Sequence, residues 1–336
     1  MNKYQLLFFF FFLIQISFGQ QTDQNKNFGL VIHGGAGTIL KENMTPEMDR
    51  AYRAILAEAI AVGHAILKAG GTSQEAVEKT IHVMENSPLF NAGKGAVLTA
   101  DGKASLDASF MDGNTLNAGA ISGVSHIKNP ISTAIAVMEK SPHVMLSGAG
   151  ADQFAVSLGM DTVPNSYFIT ERRKNALKRV QQSEQKEVSF YDPFVKDSKF
   201  GTVGCVALDK NGNLAAGTST GGMTNKKWDR IGDAPIIGAG TYANNASCGV
   251  SATGWGEFFI RSVVAHDIAA LVEYKGLDIV TASKQVLQKV ENLGGDGGVI
   301  VMDTKGNVAL EFNTAGMYRA HMNSKGELTV KIFNHE

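Results

Sequence analysis

The spacing of apolar residues along the chain shifts between the period of a strand and the period of a helix. The apolar run FGLVIHGGAG (28–37) predicts a first strand that ends in a glycine turn. Helical spacing follows, and Thr45-Pro46 supplies a cap and first position for a helix that runs to about Lys68 and ends at Gly70-Gly71. Thr72 begins a capping box for a second helix, which ends near Asn86.

Further helical patterns and two similar segments complete the predicted elements. Each similar segment reads as strand, turn and strand, so we expect two hairpins, CVALDKNGNLAAGTSTGGM (205–223) and VIVMDTKGNVALEFNTAGM (299–317). Hairpins on either side of helices predict an α+β fold in which helices cover antiparallel sheets. The other segments with apolar residues at helical spacing are PISTAIAVMEK, GADQFAVSLG, GEFFIRSVVAHDIAALVEY and DIVTASKQVLQKVENL.

A polar, charged segment separates a helix-rich first part from a second part that is framed by hairpins. It covers about 170–200, is poor in aliphatic residues and predicts a mobile linker. Its last residues, DSKF, lead into Gly201-Thr202 and then into an apolar strand.

The N-terminal residues have the pattern of a secretory signal peptide. One lysine precedes an apolar run from Leu6 to Ile14, and small residues at Ser17 and Gly19 suit cleavage near Gly19 or Gln20, so residues 1–19 are predicted to be removed. The run is shorter than the ~20 apolar residues of a spanning helix, which disfavours a membrane anchor. We therefore expect an exported protein, periplasmic or secreted. Only Cys205 and Cys248 are present, too few for a disulfide framework.

Composition narrows the classes of partner. The chain has 336 residues, 44% of them hydrophobic, and a formal net charge of -1, so a sizeable core is expected and no field draws it to nucleic acid or to an anionic membrane. A small-molecule substrate is the expected partner. The sequence contains no H-E-x-x-H, paired-cysteine or Walker motif, so we expect no zinc or nucleotide cofactor.

One serine motif deserves a test against its structural context. Gly217 to Gly221 reads G-T-S-T-G and matches the nucleophile elbow of α/β-hydrolases, with Ser219 as nucleophile. An elbow leads directly into a helix, whereas the glycine-rich sequence after Gly221 lacks a helical period. The elbow is therefore the weaker hypothesis, and a serine-directed phosphonate would test it.

Gly201-Thr202 allows a different chemistry. If this bond broke, Thr202 would begin a new chain, and its hydroxyl would lie beside a free α-amine with a pKa of roughly 7.7–8.0. Such an amine can accept the hydroxyl proton, so one residue would be both nucleophile and base. Glycine before the threonine suits a strained scissile bond, because glycine adopts backbone angles that other residues resist.

Motifs along almost the whole chain resemble one enzyme family. The plant-type asparaginase and isoaspartyl peptidase family of N-terminal-nucleophile (Ntn) hydrolases has similar motifs in the same order. The resemblance implies a four-layer αββα sandwich, self-cleavage into an α chain (20–201) and a β chain (202–336), and association as (αβ)2. The motifs are HGGAG, LFNAGKGAV, MDGNTLNAGAISGVSH, GTVGCVALD, STGGMTNK, RIGDAPIIGAGTYANN, SATGWGE and FNTAGMYRA.

The resemblance also implies roles for individual residues. Thr202 would first cut its own backbone and then attack substrate, assisted by Thr220. Arg230 and Asp233 would bind the α-carboxylate and α-amine of the substrate, which suits a guanidinium fork and a carboxylate. Thr253 and Gly254 would supply the oxyanion hole, and the backbone of Gly256 would contact substrate. Asn91 would lie near the catalytic threonine.

The same family places a structural sodium ion in the loop after the second helix. Backbone carbonyl oxygens would hold the ion, and no other cofactor is implied. The carbonyls would belong to Met84, Glu85, Ser87, Phe90, Ala92 and Lys94.

The sequence departs from the family pattern in ways that affect the expected side-chain preference. Trp255 stands where a small residue is usual, Lys227-Trp228-Asp229 replaces a proline and a glycine, and Cys205 replaces a small apolar residue. The implied reaction is hydrolysis of L-asparagine or of β-aspartyl dipeptides. Glycosylasparaginase activity is the alternative, although that motif reads D-T-I-G and Gly201 replaces the aspartate. The alternative from a different functional class is an aspartate-binding protein that has no catalytic activity.

Overall fold

The computed structural model describes residues 27–184 and 201–336, which form two sheets and their helices. Predictions for the signal segment 1–19 and for 185–200 lie outside the described residues. The larger sheet has eight strands in the order β12-β11-β1-β5-β6-β2-β3-β4, and the smaller has four in the order β10-β9-β8-β7. All pairings are antiparallel except the one between β3 and β4. The strands are β1 Gly29–Gly37, β2 Leu106–Asp112, β3 Ala118–Val124, β4 Met145–Ser147, β5 Val203–Leu208, β6 Leu214–Thr220, β7 Thr241–Ala243, β8 Cys248–Gly254, β9 Gly297–Asp303, β10 Val308–Phe312, β11 Gly316–Met322 and β12 Leu328–Phe333.

Helices cover the outer face of each sheet, so the order of layers is αββα. Helices within residues 46–157 pack on the eight-stranded sheet, and helices within residues 264–292 pack on the four-stranded sheet. The helices of the described residues are α1 Pro46–Ala69, α2 Ser73–Glu85, α3 Pro130–Lys140, α4 Gly148–Ser157, α5 Glu171–Glu184, α6 Gly256–Ser262, α7 Val264–Lys275 and α8 Ile279–Asn292. This confirms the predicted class of helices over antiparallel sheets.

The ends of the first helices confirm the predicted caps. Thr45 Oγ1 accepts a hydrogen bond from the Met48 amide, and Thr72 Oγ1 accepts one from the Glu75 amide. Gly70 ends α1 with a φ of 90°, a left-handed conformation that glycine adopts without a steric cost. Both predicted hairpins are present as β5–β6 and β9–β10.

The predicted linker is wrong for residues 171–184, which form α5. Thr170 caps this helix by accepting a hydrogen bond from the Arg173 amide, and Leu177 and Val180 are buried. Arg173 is half-buried, and its Nε donates to the carbonyl oxygen of Gly95 at 2.6 Å. The charged composition concealed an amphipathic helix, because a short apolar stripe and one hydrogen-bonded arginine suffice to dock it.

A second correction concerns the segment 256–274, whose pattern predicts one helix. The structure divides it into α6 and α7 at Val263, which has a φ of 50°. The amides of Ala265 and His266 donate to the carbonyls of Ala239 and Gly238. These long-range bonds satisfy the first amides of α7, so the helix restarts there in a new direction.

An apolar layer lies between the two sheets. It includes Val31 of β1, Val206 of β5 and Ile300 of β9. Thr202 lies directly before β5, which is hydrogen-bonded between β1 and β6. The fold therefore places the residue predicted as nucleophile at the start of a central strand.

Candidate active site

Thr202 lies against Thr220, the last residue of the neighbouring strand β6. Their hydroxyl oxygens are 3.1 Å apart, within hydrogen-bond distance. Thr202 is 8% exposed, so almost all of its surface is buried. The pairing follows from the β5–β6 hairpin, since Val203 pairs with Ser219 and the next residues on either strand are Thr202 and Thr220. The structure thus brings the two predicted threonines together.

The carbonyl of Gly201, which belongs to the predicted scissile bond, is surrounded by donors. Asn91 Nδ2 lies 2.6 Å from its oxygen, Thr202 Oγ1 lies 2.8 Å away and Thr220 Oγ1 lies 3.1 Å away. Gly201 has a φ of 136°, and a Cβ there would lie 2.8 Å from the Cβ of Asn91. Only glycine fits this conformation and this approach.

Asn91 is held on both sides of its amide. Its Oδ1 accepts from the Val97 amide at 2.8 Å, and its Nδ2 also donates to the Gly222 carbonyl at 2.8 Å. These contacts fix which end of the amide faces Gly201. The Gly222 amide in turn donates to Thr220 Oγ1 at 3.0 Å, so Asn91 and Thr220 belong to one connected set of hydrogen bonds.

Arg230, Asp233 and Gly256 meet at a second group of contacts. A Cβ on Gly256 would lie 2.9 Å from both Arg230 Nη2 and Asp233 Oδ1, so only glycine leaves room for the two charged groups. Arg230 Nη1 also approaches Gly222, where a Cβ would lie 3.6 Å from it. Because Gly222 bonds to Thr220 and Asn91, the predicted substrate clamp adjoins the predicted nucleophile.

Glu257 orients Arg230 and was missed by sequence reasoning. Its carboxylate accepts from Arg230 Nε at 2.8 Å and from Nη2 at 2.7 Å, a two-pronged pair that fixes the guanidinium plane. Glu257 directly follows the Gly254-to-Gly256 motif, so its position beside the site could be read from the sequence. Its pairing with Arg230 could not. The pairing depends on the loop 227–233 folding over α6.

Burial and charge set the pKa values in this clamp. Burial raises the pKa of the Asp233 carboxyl to about 7, although the nearby Arg230 guanidinium opposes the rise. Asp233 Oδ2 has no hydrogen-bond partner among the described residues. Burial lowers the pKa of Arg230, but the bonds to Glu257 raise it more, and the net direction is upward. A cationic group beside Asp233 would restore its charged form.

The predicted oxyanion-hole residues lie at the end of β8. Gly254 pairs with Gly297, and a Cβ on Gly254 would lie 2.7 Å from the Gly297 Cα. Thr253 Oγ1 accepts a long hydrogen bond of 3.4 Å from the Ala36 amide. In the same HGGAG turn, a Cβ on Gly35 would lie 2.9 Å from the Gly201 Cα. The turn therefore connects Thr253 to the predicted scissile bond.

The loop predicted to hold sodium curls its carbonyl oxygens inward. A Cβ on Gly95 would lie 2.7 Å from the oxygens of both Phe90 and Pro88. The carbonyl of Glu85 accepts from the Lys94 amide, and the carbonyl of Met84 accepts from the amides of Asn86 and Ser87. The sodium site in this loop stays a prediction. In the described part of the chain, no group of three or more His, Cys, Asp or Glu side chains could hold a metal ion.

Ser219 does not have the geometry of a nucleophile elbow. It lies inside β6, is fully buried, and donates to Glu85 Oε1 at 2.7 Å. The Glu85 carboxyl is buried too, and burial raises its pKa to about 7 although Ser219, Asn129 and the Ile131 amide all bond to it. Ser219 therefore anchors β6 to Glu85 at the end of α2, which also bonds to Asn129 and Ile131 at the start of α3.

The departures from the family pattern have distinct surroundings. Trp255 is 6% exposed and packs edge-on against Phe258, with ring centroids 4.9 Å apart. Trp228 is 94% exposed in the loop before Arg230. Cys205 and Cys248 are buried and free, and burial raises the pKa of both thiols.

An αββα sandwich with a threonine at the start of a central strand is the arrangement of Ntn hydrolases. A family model described as "Asparaginase" matches residues 26–332. The chain belongs to this asparaginase family of hydrolases.

Relatives whose names state an activity support the same membership. The chain is 50% identical to an isoaspartyl peptidase of Salmonella typhimurium over 293 residues, 87% of this chain and 94% of that one. It is 49% identical to an isoaspartyl peptidase of Escherichia coli over 293 residues, 87% and 91% of the respective chains. It is 41% identical to a plant-type L-asparaginase of Thermococcus kodakarensis over 303 residues, 87% and 95% of the respective chains.

Proposed function

We propose that the protein cuts its own chain at Gly201-Thr202 and then hydrolyses the side-chain amide of L-asparagine and the isopeptide bond of β-aspartyl dipeptides. The observation that carries the proposal is the contact of the Thr202 hydroxyl with Thr220, beside a clamp of opposite charges. The names of the relatives support the substrate class.

Maturation begins with addition of Thr202 Oγ to the Gly201 carbonyl carbon. The carbon–nitrogen bond then breaks, the hydroxyl proton passes to the Thr202 nitrogen, and an ester joins the two residues. Water hydrolyses this ester, so that Gly201 gains a carboxylate and the Thr202 hydroxyl is restored beside the α-amine that the broken carbon–nitrogen bond has already freed. Asn91 Nδ2, at 2.6 Å from the Gly201 oxygen, stabilises the negative charge that develops there.

Substrate binding uses the charges around Gly256. Arg230 binds the α-carboxylate, and Asp233 binds the α-ammonium group and becomes ionised in that contact. Both α groups of the aspartyl residue must then be free. Asparagine inside a peptide, or with a blocked carboxylate, is therefore rejected.

Turnover repeats the same nucleophilic step on the side chain. The Thr202 α-amine accepts the hydroxyl proton while Oγ attacks the β-carbonyl carbon. The leaving ammonia or amino acid takes that proton, and an aspartyl ester remains on Thr202. Water, deprotonated by the same amine, hydrolyses the ester and releases L-aspartate. Thr253 and Gly254 are assigned to stabilise the oxyanion of both steps.

The first test is the mass of the purified protein under denaturing conditions, with the N-terminal sequence of every fragment. Two chains, one of which begins Thr-Val-Gly-Cys, are expected, together with ammonia release from asparagine. Thr202→Ala should remain a single chain without turnover. Self-cleavage or ammonia release by this variant would overturn the mechanism. Glycosyl-asparagine is assayed in parallel, because its hydrolysis would indicate the alternative glycosylasparaginase activity.

The finer assignments are proposals that rest on the family resemblance and on the sequence. The carbonyls of the 84–94 loop bind sodium, which gives the loop rigidity but takes no part in the reaction. Export follows from the signal pattern, and the mature enzyme assembles as (αβ)2. Fractionation of producing cells, light scattering and the sodium dependence of the melting temperature test these assignments. In the described residues, no helix is long and apolar enough to cross a membrane.

A further inference from the structure

His33 contacts the residue that would become the new chain terminus. Its Nδ1 lies 3.0 Å from the carbonyl oxygen of Thr202, and the imidazole is fully buried. A carbonyl oxygen only accepts hydrogen bonds, so Nδ1 carries the proton and donates. Burial lowers the pKa of His33 to about 3, although the bond to Thr202 opposes this, and the ring stays neutral at working pH.

The other ring nitrogen, Nε2, is hydrogen-bonded to the first of a row of buried hydroxyl groups. Nε2 has no proton in this tautomer and accepts from Ser251 Oγ at 3.0 Å. Ser251 Oγ then accepts from Thr218 Oγ1 at 2.7 Å, and Thr241 Oγ1 donates to Thr218 Oγ1 at 2.5 Å. Each hydroxyl has one proton, so the tautomer of His33 sets the direction of these bonds.

This row of hydrogen bonds connects the two sheets through their apolar layer. His33 and Thr218 belong to β1 and β6 of the larger sheet, whereas Ser251 and Thr241 belong to β8 and β7 of the smaller one. A Cβ on Gly204 would overlap both His33 Nε2 and Ser251 Oγ, so glycine is required two residues after the nucleophile. Buried polar groups with complete hydrogen bonds favour one geometry of the surrounding core.

The hydrogen bond from His33 to the Thr202 carbonyl becomes more important once the chain is cut. In the uncut chain, Thr202 is also tethered through Gly201, whose carbonyl is bound by Asn91 and Thr220. Cleavage removes this tether and leaves Thr202 held through its own carbonyl, its hydroxyl and the pairing of Val203 with Ser219. The bond from His33 fixes the peptide plane after Thr202, and with it the positions of the amine and the hydroxyl.

We propose that His33 is a positioning residue that orients Thr202 for catalysis after self-cleavage, with Ser251 holding the imidazole in the tautomer that donates to Thr202. The proposal rests on the proposed function. It assigns His33 no contact with substrate. The predicted consequence is a loss in kcat with little change in KM, because Arg230 and Asp233 are untouched.

Two substitutions of His33 separate its two nitrogens. His33→Asn keeps a donor near Nδ1 and removes Nε2, whereas His33→Gln keeps a polar group near Nε2 and removes the donor to Thr202. Activity is measured on a β-aspartyl dipeptide, per cleaved chain counted by mass spectrometry. Since a displacement of about 1 Å at a reacting group can cost roughly 100-fold in rate, we expect His33→Gln to lower kcat at least about tenfold. His33→Asn should stay within about threefold of the wild type, and KM should change less than twofold in both.

Ser251→Ala tests the same idea without altering the imidazole. Its matched control is Ser283→Ala, which removes an equally buried serine hydroxyl that donates to the Ile279 carbonyl in α8. Ser251→Ala should lower kcat, and Ser283→Ala should leave it unchanged even if both melt earlier. If His33→Gln does not fold, Ser251→Ala alone decides the outcome.

Equal losses of kcat in His33→Gln and His33→Asn would overturn the proposal, as would an unchanged kcat in Ser251→Ala. A rise in KM with unchanged kcat would also overturn it. The wild type and Ser283→Ala report separately on the proposed function, because both must hydrolyse the dipeptide whatever the role of His33. Their failure would count against the substrate assignment and not against the positioning role.

Discussion

Asn91 Nδ2 lies 2.6 Å from the carbonyl oxygen of Gly201. A donor therefore already faces the oxygen on which negative charge would develop during self-cleavage, before any bond has broken. The Val97 amide and the Gly222 carbonyl hold the Asn91 side chain in place, so it needs no rearrangement in the transition state.

Substitution of Asn91 is expected to slow maturation. In Asn91→Asp, the side chain still accepts from the Val97 amide but no longer donates to Gly201. Loss of one such donor typically costs roughly 100- to 1,000-fold in rate, and we expect self-cleavage to slow by about that factor. The measurement is the fraction of cut chain against time on a denaturing gel. Asn245→Ala is the control, because Asn245 bonds Asn213 and Leu214 within another pair of loops and should mature normally.

Thr220 is expected to be needed for both maturation and turnover. Thr220→Val keeps the shape of the side chain and removes the hydroxyl that bonds Thr202, Gly201 and the Gly222 amide. We expect slower self-cleavage and a lower kcat, while Thr220→Ser should retain most of both. Equal activity of the valine and serine variants would show that the hydroxyl has no role.

The raised pKa of Asp233 predicts that aspartate binding depends on pH. Below about 7 the buried carboxyl is protonated and cannot pair with an α-ammonium group, so affinity for L-aspartate should increase as pH rises through this value. Calorimetric titration of the mature enzyme from pH 5 to pH 9 measures this. Succinate, which lacks the α-amine, is the control ligand and should bind no better at high pH. A parallel rise for both ligands would exclude Asp233 as the cause.

The same carboxyl is expected to limit stability at neutral pH. Between its ordinary pKa of 3.8 and about 7, the folded state retains a proton that the unfolded state has released. The free energy of unfolding therefore falls as pH rises through this window. Asp233→Asn should melt at a higher temperature than the wild type at pH 8 and show a smaller difference at pH 4, with substrate binding lost. A lower melting temperature at pH 8 would contradict this linkage.

Glu257 is expected to act on substrate affinity through Arg230. Glu257→Ala frees the guanidinium from a carboxylate that binds both Nε and Nη2, so the fork that receives the substrate carboxylate loses its fixed plane. We expect KM to rise about tenfold with a smaller change in kcat, which matches the lower end of the ~1.5–3 kcal/mol typical of a hydrogen bond to a charged group. Glu171→Ala removes an exposed glutamate that pairs only with Lys174 among the described residues, and its kinetics should match the wild type.

Local patterns predicted most elements, because each depends on residues close in the chain. The caps at Thr45 and Thr72 and both hairpins are examples. Prediction failed where distant residues decide the backbone. The break at Val263 depends on carbonyls of Gly238 and Ala239, and α5 forms because Arg173 reaches the Gly95 carbonyl.

The sequence by itself determined the family, the candidate nucleophile Thr202 and the clamp residues Arg230 and Asp233, because these lie in long motifs with fixed order. Only the tertiary structure decided which groups act on them. Asn91 reaches Gly201 across 110 positions of the chain, and His33 reaches Thr202 across 169. Such pairings carry no local signal, since packing of the two sheets, and not the neighbouring sequence, brings the atoms within hydrogen-bond distance.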